Sequence, residues 1–264
     1  MVWHSDFIVT CVVFVVNSGT TVTGSERVLL VLAALASHGK AMSVKDLQGV
    51  TGLAQSTLYR QIALLKRWGF VAEHTGHYAP GPISLQLALG FDVNSMLVEA
   101  SRMEMQQLAR ASKESVGLVV AVKNQAMCLD RVDSEQSLRC SFEKGRAVPL
   151  KAGASAKSLL AFMAENACNE VLDSVFAGDR AGRAAIEAEL ERIRAQGYAV
   201  SDSEVDPGVW GVSAPIFHRT WRGVSSSASI TLMAPSTRAI GRESQFIDGT
   251  LRTARAISLH LQAE

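Results

Sequence analysis

Residues 51–70, TGLAQSTLYRQIALLKRWGF, constrain the fold more than any other stretch of the chain. Leu58, Ile62 and Leu65 recur at the spacing of one face of an α-helix, so that face must be buried. The first turn of the same helix is polar, and a Gly-Leu pair precedes it. The pattern predicts a helix over residues 54–68 whose apolar side is held by a scaffold while its polar side faces outward.

The segments on either side of that helix supply such a scaffold. Ser25 is placed to cap a first helix, and Ser43 is placed to cap a short second helix that ends at Gly52. Downstream, FVAEHTGHYAPG alternates apolar and polar residues around Thr75-Gly76, which is typical of a β-hairpin. Three helices followed by a hairpin predict a winged helix-turn-helix domain over residues 23–82.

A winged helix-turn-helix presents the polar side of its third helix to the DNA major groove, where Gln can bond adenine and Arg can bond guanine. Residues 24–90 carry six Lys/Arg and three Asp/Glu, a net charge of +3, which favours a nucleic-acid partner. We expect phosphate contacts from Tyr59, Lys66 and Arg67 and base contacts from the helix start. The residues predicted to bind DNA are Ser43, Gln55, Ser56, Thr57, Tyr59, Arg60, Lys66, Arg67, His74 and His77. Taken alone, such a face is also typical of an ordinary solvated helix, and Tyr59 of a half-buried packing residue.

The N-terminus and the cysteines bear on where the protein works. Residues 1–22 contain an apolar run of about ten residues, which is shorter than the roughly 20 that span a bilayer, and no Lys or Arg precedes Arg27. We expect either a poorly ordered extension there or a start codon assigned too early, and no membrane role. The four cysteines form no Cys-x-x-Cys pair, which argues against a zinc or redox motif and favours free thiols in a reducing cytoplasm.

The second half of the chain predicts an α+β domain over residues 83–264, which begins with a linker helix suited to pairing with its copy in a dimer. The linker helix is predicted over residues 83–113, and later helices over 155–163, 183–196 and 238–260. Strand patterns occupy residues 117–123, 126–132, 137–142, 198–205, 209–217 and 226–234. Strands on either side of a helical block, followed by a C-terminal helix, favour one sheet domain.

These motifs resemble the IclR family of bacterial transcription regulators. The family's N-terminal pattern appears here as Leu47, Thr51-Gly52-Leu53, Ser56-Thr57 and Arg60, and its exit from the wing as Gly81-Pro82. Three later blocks resemble the family's second domain: LDRVDS at 129–134, LKAGASAKSLLAFM at 150–163 and GYAVSDSEVDPGVWGVSAPIF at 197–217. The resemblance covers about residues 24–262. It implies a GAF/PAS-like domain that binds a small organic effector, a double-stranded DNA operator as partner, and homodimers or homotetramers.

The resemblance also implies an effector site at the start of the helix over 155–163. Free backbone N–H groups at Gly153, Ala154 and Ser155 would favour a carboxylate there. The residues expected to contact the effector are Ala154, Ser155, Ser201, Asp202, Gly211, Thr231 and Met233.

Departures from the family pattern bear on the ligand. The family often has Asp, Cys and Ser where this chain has Ser201, Gly211 and Met233. We infer a ligand larger or more apolar than glyoxylate or pyruvate, such as an aromatic acid. Lys151, where the family often has His, either adds positive charge at the mouth of the pocket or lies in solvent. Trp210 either caps the pocket or packs in the core.

Other classes of protein find less support in the sequence. It has no Gly-x-Ser-x-Gly elbow, Walker A motif or Gly-x-Gly-x-x-Gly fingerprint, and its six histidines show no metal-ligand spacing. Glu204 and Asp206 lie two residues apart, but such pairs are common on solvated strand edges. We therefore expect no catalysis, no metal and no cofactor. A ligand-binding module that uses its helix-turn-helix for protein contact is the alternative to a DNA-binding regulator.

Overall fold

The computed structural model describes residues 23–140, 143–220 and 223–263. By internal contacts the chain divides into two units, Met1–Asn94 and Ser95–Glu264. The predicted extension over residues 1–22 lies outside the described residues. The predicted domain boundary after residue 82 stays a prediction, and the division by contacts falls one helix further along the chain.

Over residues 23–94, the N-terminal unit consists of four helices and a small sheet. Its elements are α1 (Gly24–His38), β1 (Met42–Ser43), α2 (Val44–Thr51), α3 (Gln55–Arg67), β2 (Val71–His74), β3 (His77–Pro80) and α4 (Pro82–Asn94). The strands form an antiparallel sheet in the order β1-β3-β2. This is the predicted winged helix-turn-helix, with β2 and β3 as the wing.

Side-chain caps determine where the first two helices begin. At α2 the prediction is confirmed: Asp46 N donates to Ser43 Oγ at 3.2 Å, and Ser43 N donates to Asp46 Oδ2 at 2.9 Å. The prediction that Ser25 caps α1 is wrong, because Thr23 forms the same reciprocal pair with Glu26 and leaves Ser25 inside the first turn.

The buried side of α3 belongs to the core of the N-terminal unit. Leu58, Ile62 and Leu65 are buried against α1, α2 and the wing. The rest of this cluster is Val31, Ala34, Leu35, Met42, Val44, Leu47, Val71 and Tyr78. Full burial of one such aliphatic side chain contributes roughly 1.5–3 kcal/mol, so three of them fix the rotation of α3 about its axis.

The C-terminal unit, as far as the structure describes it, is a six-stranded antiparallel sheet with helices on both faces. Its helices are α5 (Met96–Ser112), α6 (Ala154–Phe162), α7 (Glu165–Val175), α8 (Arg180–Gln196), α9 (Ser236–Ala239) and α10 (Glu243–Ala263). Its strands are β4 (Ser115–Val122), β5 (Gln125–Val132), β6 (Ala147–Pro149), β7 (Ala199–Asp202), β8 (Val209–Thr220) and β9 (Gly223–Pro235). They pair in the order β6-β5-β4-β9-β8-β7. The predicted α+β fold is confirmed.

Neighbouring residues of the central strand β4 enter two separate cores, because successive side chains of a strand point to opposite faces. Leu118 joins the cluster in which α5 and α10 pack, together with Met105 and Phe246. Val119 joins the cluster formed with α6, α7 and α8, which includes Leu159. Both faces of the sheet are therefore covered by helices.

Several predicted elements differ from the observed ones. Residues 137–138 form a bend and 139–140 have no regular structure, instead of the predicted strand, because β6 pairs with the outer edge of β5. Residues 141–142 lie outside the described part of the chain. The predicted linker helix over 83–113 is two helices, since Ser95 leaves the helical conformation and caps α5 by accepting from Val98 N at 3.4 Å. The predicted C-terminal helix is likewise two, α9 and α10, and α7 was not predicted.

Candidate functional site

Helix α3 presents the predicted polar face to solvent. Gln55, Ser56 and Arg60 are exposed, whereas Leu58 is fully buried. The helical period of 3.6 residues requires this result once Leu58 lies in the core. Tyr59 is 50% exposed, so it lies at the edge of the polar face and not in the core.

The N-terminal end of α3 carries no side-chain cap. Ala54 is the N-cap residue, and the first turn contains no acidic residue. Thr57 N donates to Ala54 O at 2.9 Å, while no acceptor among the described residues bonds the N–H groups of Gln55 and Ser56. A helix N-terminus carries partial positive charge and unsatisfied donors, so this end can take a phosphate oxygen.

The wing is a tight hairpin closed by Thr75 and Gly76. Their φ angles are both positive, 47° and 75°, as a two-residue type I′ turn requires. His74 and His77 are direct partners in the strand register, and both are exposed. His77 Nδ1 lies 3.2 Å from Thr75 O, which holds the ring beside the turn.

An ion pair joins α3 to the wing. Lys66 Nζ donates to Glu73 Oε2, and this hydrogen bond raises the pKa of Lys66 above its usual value. Glu73 places a negative charge on the surface predicted to meet DNA phosphates. Sequence reasoning missed both this residue and Trp68, which is 64% exposed just after α3, because neither follows from the periodicity of one helix.

Ser43 differs from the other predicted DNA-binding residues because its hydroxyl serves the cap of α2. Ser43 Oγ donates to Asp46 Oδ2 at 2.7 Å, and this bond lowers the pKa of Asp46. Ser43 and Thr57 are partly buried, and the other eight predicted residues are exposed on α3 and the wing. DNA contact by each of the ten stays a prediction.

The C-terminal unit holds a cavity of about 110 Å³ between the start of α6 and the sheet. Six of the seven residues predicted to contact an effector line it: Ala154, Ser155, Ser201, Gly211, Thr231 and Met233. Apolar wall is supplied by Val119, Ala126, Val148 and Val209. An apolar cavity with a few converging polar groups is typical of a small-molecule site.

Asp202, the seventh predicted residue, is not part of the cavity wall. Adjacent side chains of a strand point to opposite faces, so Ser201 faces the cavity while Asp202 faces away from it. The Asp202 carboxylate accepts instead from Ser236 Oγ at 2.6 Å and from Ser203 Oγ at 3.0 Å. The structure therefore places Asp202 outside the cavity wall, and effector contact by each of the seven residues stays a prediction.

The backbone N–H groups that are free at the start of α6 are not the ones that were predicted. Gly153 N donates to Glu204 Oε2 at 2.9 Å, and Ala154 N donates to Ser201 Oγ at 3.0 Å. Free donors at these two positions were predicted wrongly, because acceptors from β7 and the segment after it reach the helix start. Ser155 and Ala156 also line the cavity, and within the described ranges no acceptor bonds their N–H groups.

Hydroxyl groups form a chain along the cavity wall. Ser155 Oγ lies 3.0 Å from Thr231 Oγ1, and Thr231 Oγ1 donates to Ser213 Oγ at 2.9 Å. Because hydroxyls both donate and accept, this chain can bond a polar ligand atom of either kind.

Lys151 and Trp210, each given two alternatives by the sequence, lie outside the cavity. Lys151 is exposed, with Nζ 5.5 Å from the ring centroid of Phe176. Trp210 is buried against Phe246, with ring centroids 5.9 Å apart. The solvent alternative therefore holds for the lysine and the core alternative for the tryptophan.

Three charged residues at the cavity and one cysteine were not predicted. Glu143, Arg146 and Asp206 line the cavity and are exposed. They come from a turn after β5 and a loop after β7, so no local motif marks them. Cys128 also lines the cavity, and burial raises the pKa of its thiol to about 12, which keeps it protonated at neutral pH.

Over the described ranges, no group of three or more His, Cys, Asp or Glu side chains is arranged to hold a metal ion. In the same part of the chain, no helix is both long enough and apolar enough to cross a membrane.

Comparison with known proteins gives matches in both units. Residues 25–74 match the IclR helix-turn-helix domain, and residues 93–259 match the family described as bacterial transcriptional regulator IclR C-terminal. The HTH-type transcriptional regulator TtgV of Pseudomonas putida is 30% identical over 220 residues, which cover 81% of this chain and 82% of TtgV. The HTH-type transcriptional regulator KipR of Bacillus subtilis is 26% identical over 220 residues, which cover 81% of this chain and 86% of KipR.

Solved structures share the fold. An IclR family transcriptional regulator from Brucella abortus superposes with a TM-score of 0.78 at 22% identity, covering 92% of this chain and 93% of that one. An IclR homolog from Microbacterium hydrocarbonoxydans, complexed with 4-hydroxybenzoate, superposes with a TM-score of 0.69 at 21% identity, covering 92% of this chain and 100% of that one.

Proposed function

Because the chain belongs to the IclR family of bacterial transcriptional regulators, we propose that it reads its operator with the exposed face of α3 and that a small organic acid in the cavity modulates this binding. Family membership rests on the matches over residues 25–74 and 93–259. The protein is a DNA-binding transcriptional regulator and not an enzyme, since its relatives are named as such regulators. The alternative of a helix-turn-helix used for protein contact is set aside on the same ground.

The observation that carries the DNA proposal is the division of α3 into two sides. Leu58 is held in the core, while Ser56 and Arg60 stand free in solvent. An exposed Arg on a recognition helix can bond guanine O6 and N7 in the major groove, and the uncapped helix start favours a phosphate. Arg67, at the far end of α3, is suited to contact the phosphate backbone of the DNA and not the bases.

The test compares Arg60→Ala with Arg67→Ala on a duplex from the gene's own upstream region. A base-reading arginine should lose about 1–3 kcal/mol of binding free energy and relax sequence preference at one position. A phosphate-binding arginine should weaken all duplexes alike and reduce the salt dependence. Fluorescence anisotropy on duplexes with single base changes separates the two. Unchanged binding by Arg60→Ala would remove Arg60 from the interface.

The effector proposal rests on the size and chemistry of the cavity. Its volume of about 110 Å³ is below the roughly 150 Å³ that holds benzene in an apolar protein cavity, so an aromatic acid would also occupy the side of the cavity lined by the exposed Glu143 and Arg146. A carboxylate can accept from the N–H groups of Ser155 and Ala156, and a ring hydroxyl can bond the Ser155–Thr231 chain. Gly211 and Met233 bring no charge to the wall. The 4-hydroxybenzoate bound by the Microbacterium homolog supports an aromatic acid as the ligand class.

A thermal-shift screen of the full chain with benzoate, 4-hydroxybenzoate and pyruvate tests the ligand class. We expect the aromatic acids to raise Tm more than pyruvate. Ala154→Leu should abolish that shift by filling the cavity, because Ala154 is buried in its wall. Ala167→Leu, the same change at an exposed position of α7, is the matched control. Loss of DNA binding together with ligand binding in Ala154→Leu would indicate folding damage.

A homo-oligomer is the third part of the proposal. Helix α4 exposes Leu85, Leu87 and Leu89 by 63%, 60% and 58%, and an exposed apolar stretch of this kind marks an interaction surface. Pairing of linker helices would set the spacing of the two α3 helices in a dimer. An effector can shift that spacing only if it binds two arrangements of the dimer with unequal affinity. Sedimentation of Leu85→Glu and Leu89→Glu should show a lower oligomer than the unmodified chain. An unmodified chain that sediments as a monomer at micromolar concentration would contradict this part.

A further inference from the structure

A buried lysine lies next to the cavity without lining it. Lys157 of α6 is only 2% exposed, and its Nζ lies 2.6 Å from Glu204 Oε1 and 2.8 Å from Glu189 Oε1. A buried charge is tolerated only when it is paired and hydrogen-bonded, so these two carboxylates account for the burial of the Lys157 ammonium group. Glu189 belongs to α8, while Glu204 belongs to the segment between β7 and β8.

That segment, residues 203–208, is named the cavity loop. Val205 and Asp206 of the cavity loop form part of the cavity wall. Val205 lies directly against the start of α6: a Cβ on Gly153 would come within 2.8 Å of Val205 Cγ2. Gly153 also has a φ of +90°, which a larger residue would adopt only under strain, so glycine is required here on two counts.

The internal bonds of the cavity loop make it compact. Ser203 N donates to Val209 O at 2.8 Å, and Gly208 N donates to Ser203 Oγ at 3.0 Å. Glu204 bonds outward, with Oε1 on Lys157 and Oε2 on Gly153 N at 2.9 Å. Gly208 O also accepts from Ser236 N at 2.9 Å, so the end of the cavity loop stays anchored to the start of α9. Release of Glu204 would therefore free the middle of the cavity loop, where Val205 and Asp206 lie.

We propose that Lys157 is a positioning residue for ligand binding: it holds Glu204 and so keeps Val205 and Asp206 in place in the cavity wall. The inference rests on the proposed function, since it concerns the same cavity. It predicts that ligand exchange requires the Lys157–Glu204 bond to open, and that neutral substitutions of either partner leave the cavity accessible.

Cys128 reports this access without any ligand. Its thiol lines the cavity and is buried. The test measures methylthiolation of Cys128 by methyl methanethiosulfonate, which forms a Cys–S–S–CH3 disulfide and releases methanesulfinate. It is run at one fixed pH in the full chain and resolved by non-reducing peptide mass spectrometry. Cys168, which is buried in the core formed by α6, α7 and α8, serves as the internal control for global opening.

We expect Lys157→Met and Glu204→Ala each to accelerate Cys128 modification about ten-fold or more, because each loses the charge-assisted bond between Lys157 and Glu204, and Glu204→Ala loses the bond from Gly153 N as well. Lys157→Arg should restore the slow rate, because it keeps a cation between the two carboxylates. Glu189→Ala should stay within about two-fold of the unmodified chain, since the Lys157–Glu204 bond remains. Glu204→Ala changes a partly exposed loop side chain, so this variant still tests the proposal if Lys157→Met does not fold.

Selective acceleration at Cys128 in these variants supports the proposal. It is overturned if Cys128 reacts at the unmodified rate in Glu204→Ala, or if Cys168 accelerates by the same factor. The labelling of Cys128 uses neither an organic acid nor DNA, so its result does not depend on the proposed function. If the proposed effector class is wrong, the organic acids will not raise Tm, and this is measured in the separate thermal-shift experiment.

Discussion

Glu73→Gln should strengthen DNA binding, because Glu73 neutralises a lysine on the surface proposed to face the duplex. Lys66 Nζ is bonded to the Glu73 carboxylate, and the raised pKa of Lys66 keeps it a full cation at neutral pH. The pair as it stands therefore brings no net charge to a nearby phosphate. Removing the negative charge while keeping the shape of the side chain leaves Lys66 uncompensated.

The size of the effect follows from counterion release. The logarithm of the binding constant falls with the logarithm of salt concentration by about 0.9 for each phosphate neutralised. One further uncompensated lysine should steepen the loss of affinity between about 50 and 200 mM salt by about 3.5-fold per protomer. Two protomers on one duplex should give about 12-fold.

The assay is fluorescence anisotropy with a duplex of arbitrary sequence, because phosphate contacts are independent of sequence. Titrations at several salt concentrations give the slope directly. Glu170→Gln, which removes one exposed glutamate from α7 in the other unit, is the matched control and should leave the slope unchanged. If Glu73→Gln and Glu170→Gln give the same slope, Lys66 does not face phosphate and the reasoning fails.

Three further predictions concern stability and cavity volume. Ser43→Ala should lower the free energy of unfolding by about 0.5–2 kcal/mol through loss of the cap. The hydrogen bonds from Ser43 lower the pKa of Asp46 in the folded state below its usual value of 3.8. The stability that Asp46 contributes is therefore present above pH 3.8 and is lost as the pH falls through the folded pKa. Urea unfolding should show that the loss of stability caused by Ser43→Ala becomes smaller in acid. Arg238→Ala should cost about 3–5 kcal/mol in the same assay, since Glu114 is 1% exposed and Arg238 bonds both of its oxygens at 2.7 and 2.6 Å. Gly211→Ala should leave Tm unchanged and weaken the Tm shift caused by aromatic acids, because its Cβ would enter the cavity 3.4 Å from Ser201 Oγ without a clash.

Local regularities made the N-terminal unit predictable. The spacing of Leu58, Ile62 and Leu65 fixed which side of α3 is buried, and the same period placed Ser56 and Arg60 outside. The Thr75-Gly76 pair predicted the wing, because few residue pairs take two positive φ angles. The cap of α1 was misplaced by two residues, since Thr23 and Ser25 are both good N-caps and only the reach of Glu26 decides between them.

The residues that line the cavity were predictable from family resemblance and not from local periodicity. Resemblance to a family brought together Ala154, Ser155, Ser201 and Thr231 from three distant segments, and the structure places all four around one cavity. The alternation of side chains along β7 turns Asp202 away from the cavity wall, and that depends on which face of β7 meets α6.

What the sequence determined by itself was most of the regular elements and the buried side of the strongly periodic ones, such as α3, because helical and strand periods are properties of neighbouring residues. Only the tertiary structure decided which groups remain available to a ligand. It bonds Lys157 to Glu204, Lys66 to Glu73 and Ala154 N to Ser201 Oγ. Each of these bonds joins residues on separate elements, and the partner of a charge or donor depends on distances that periodicity does not encode.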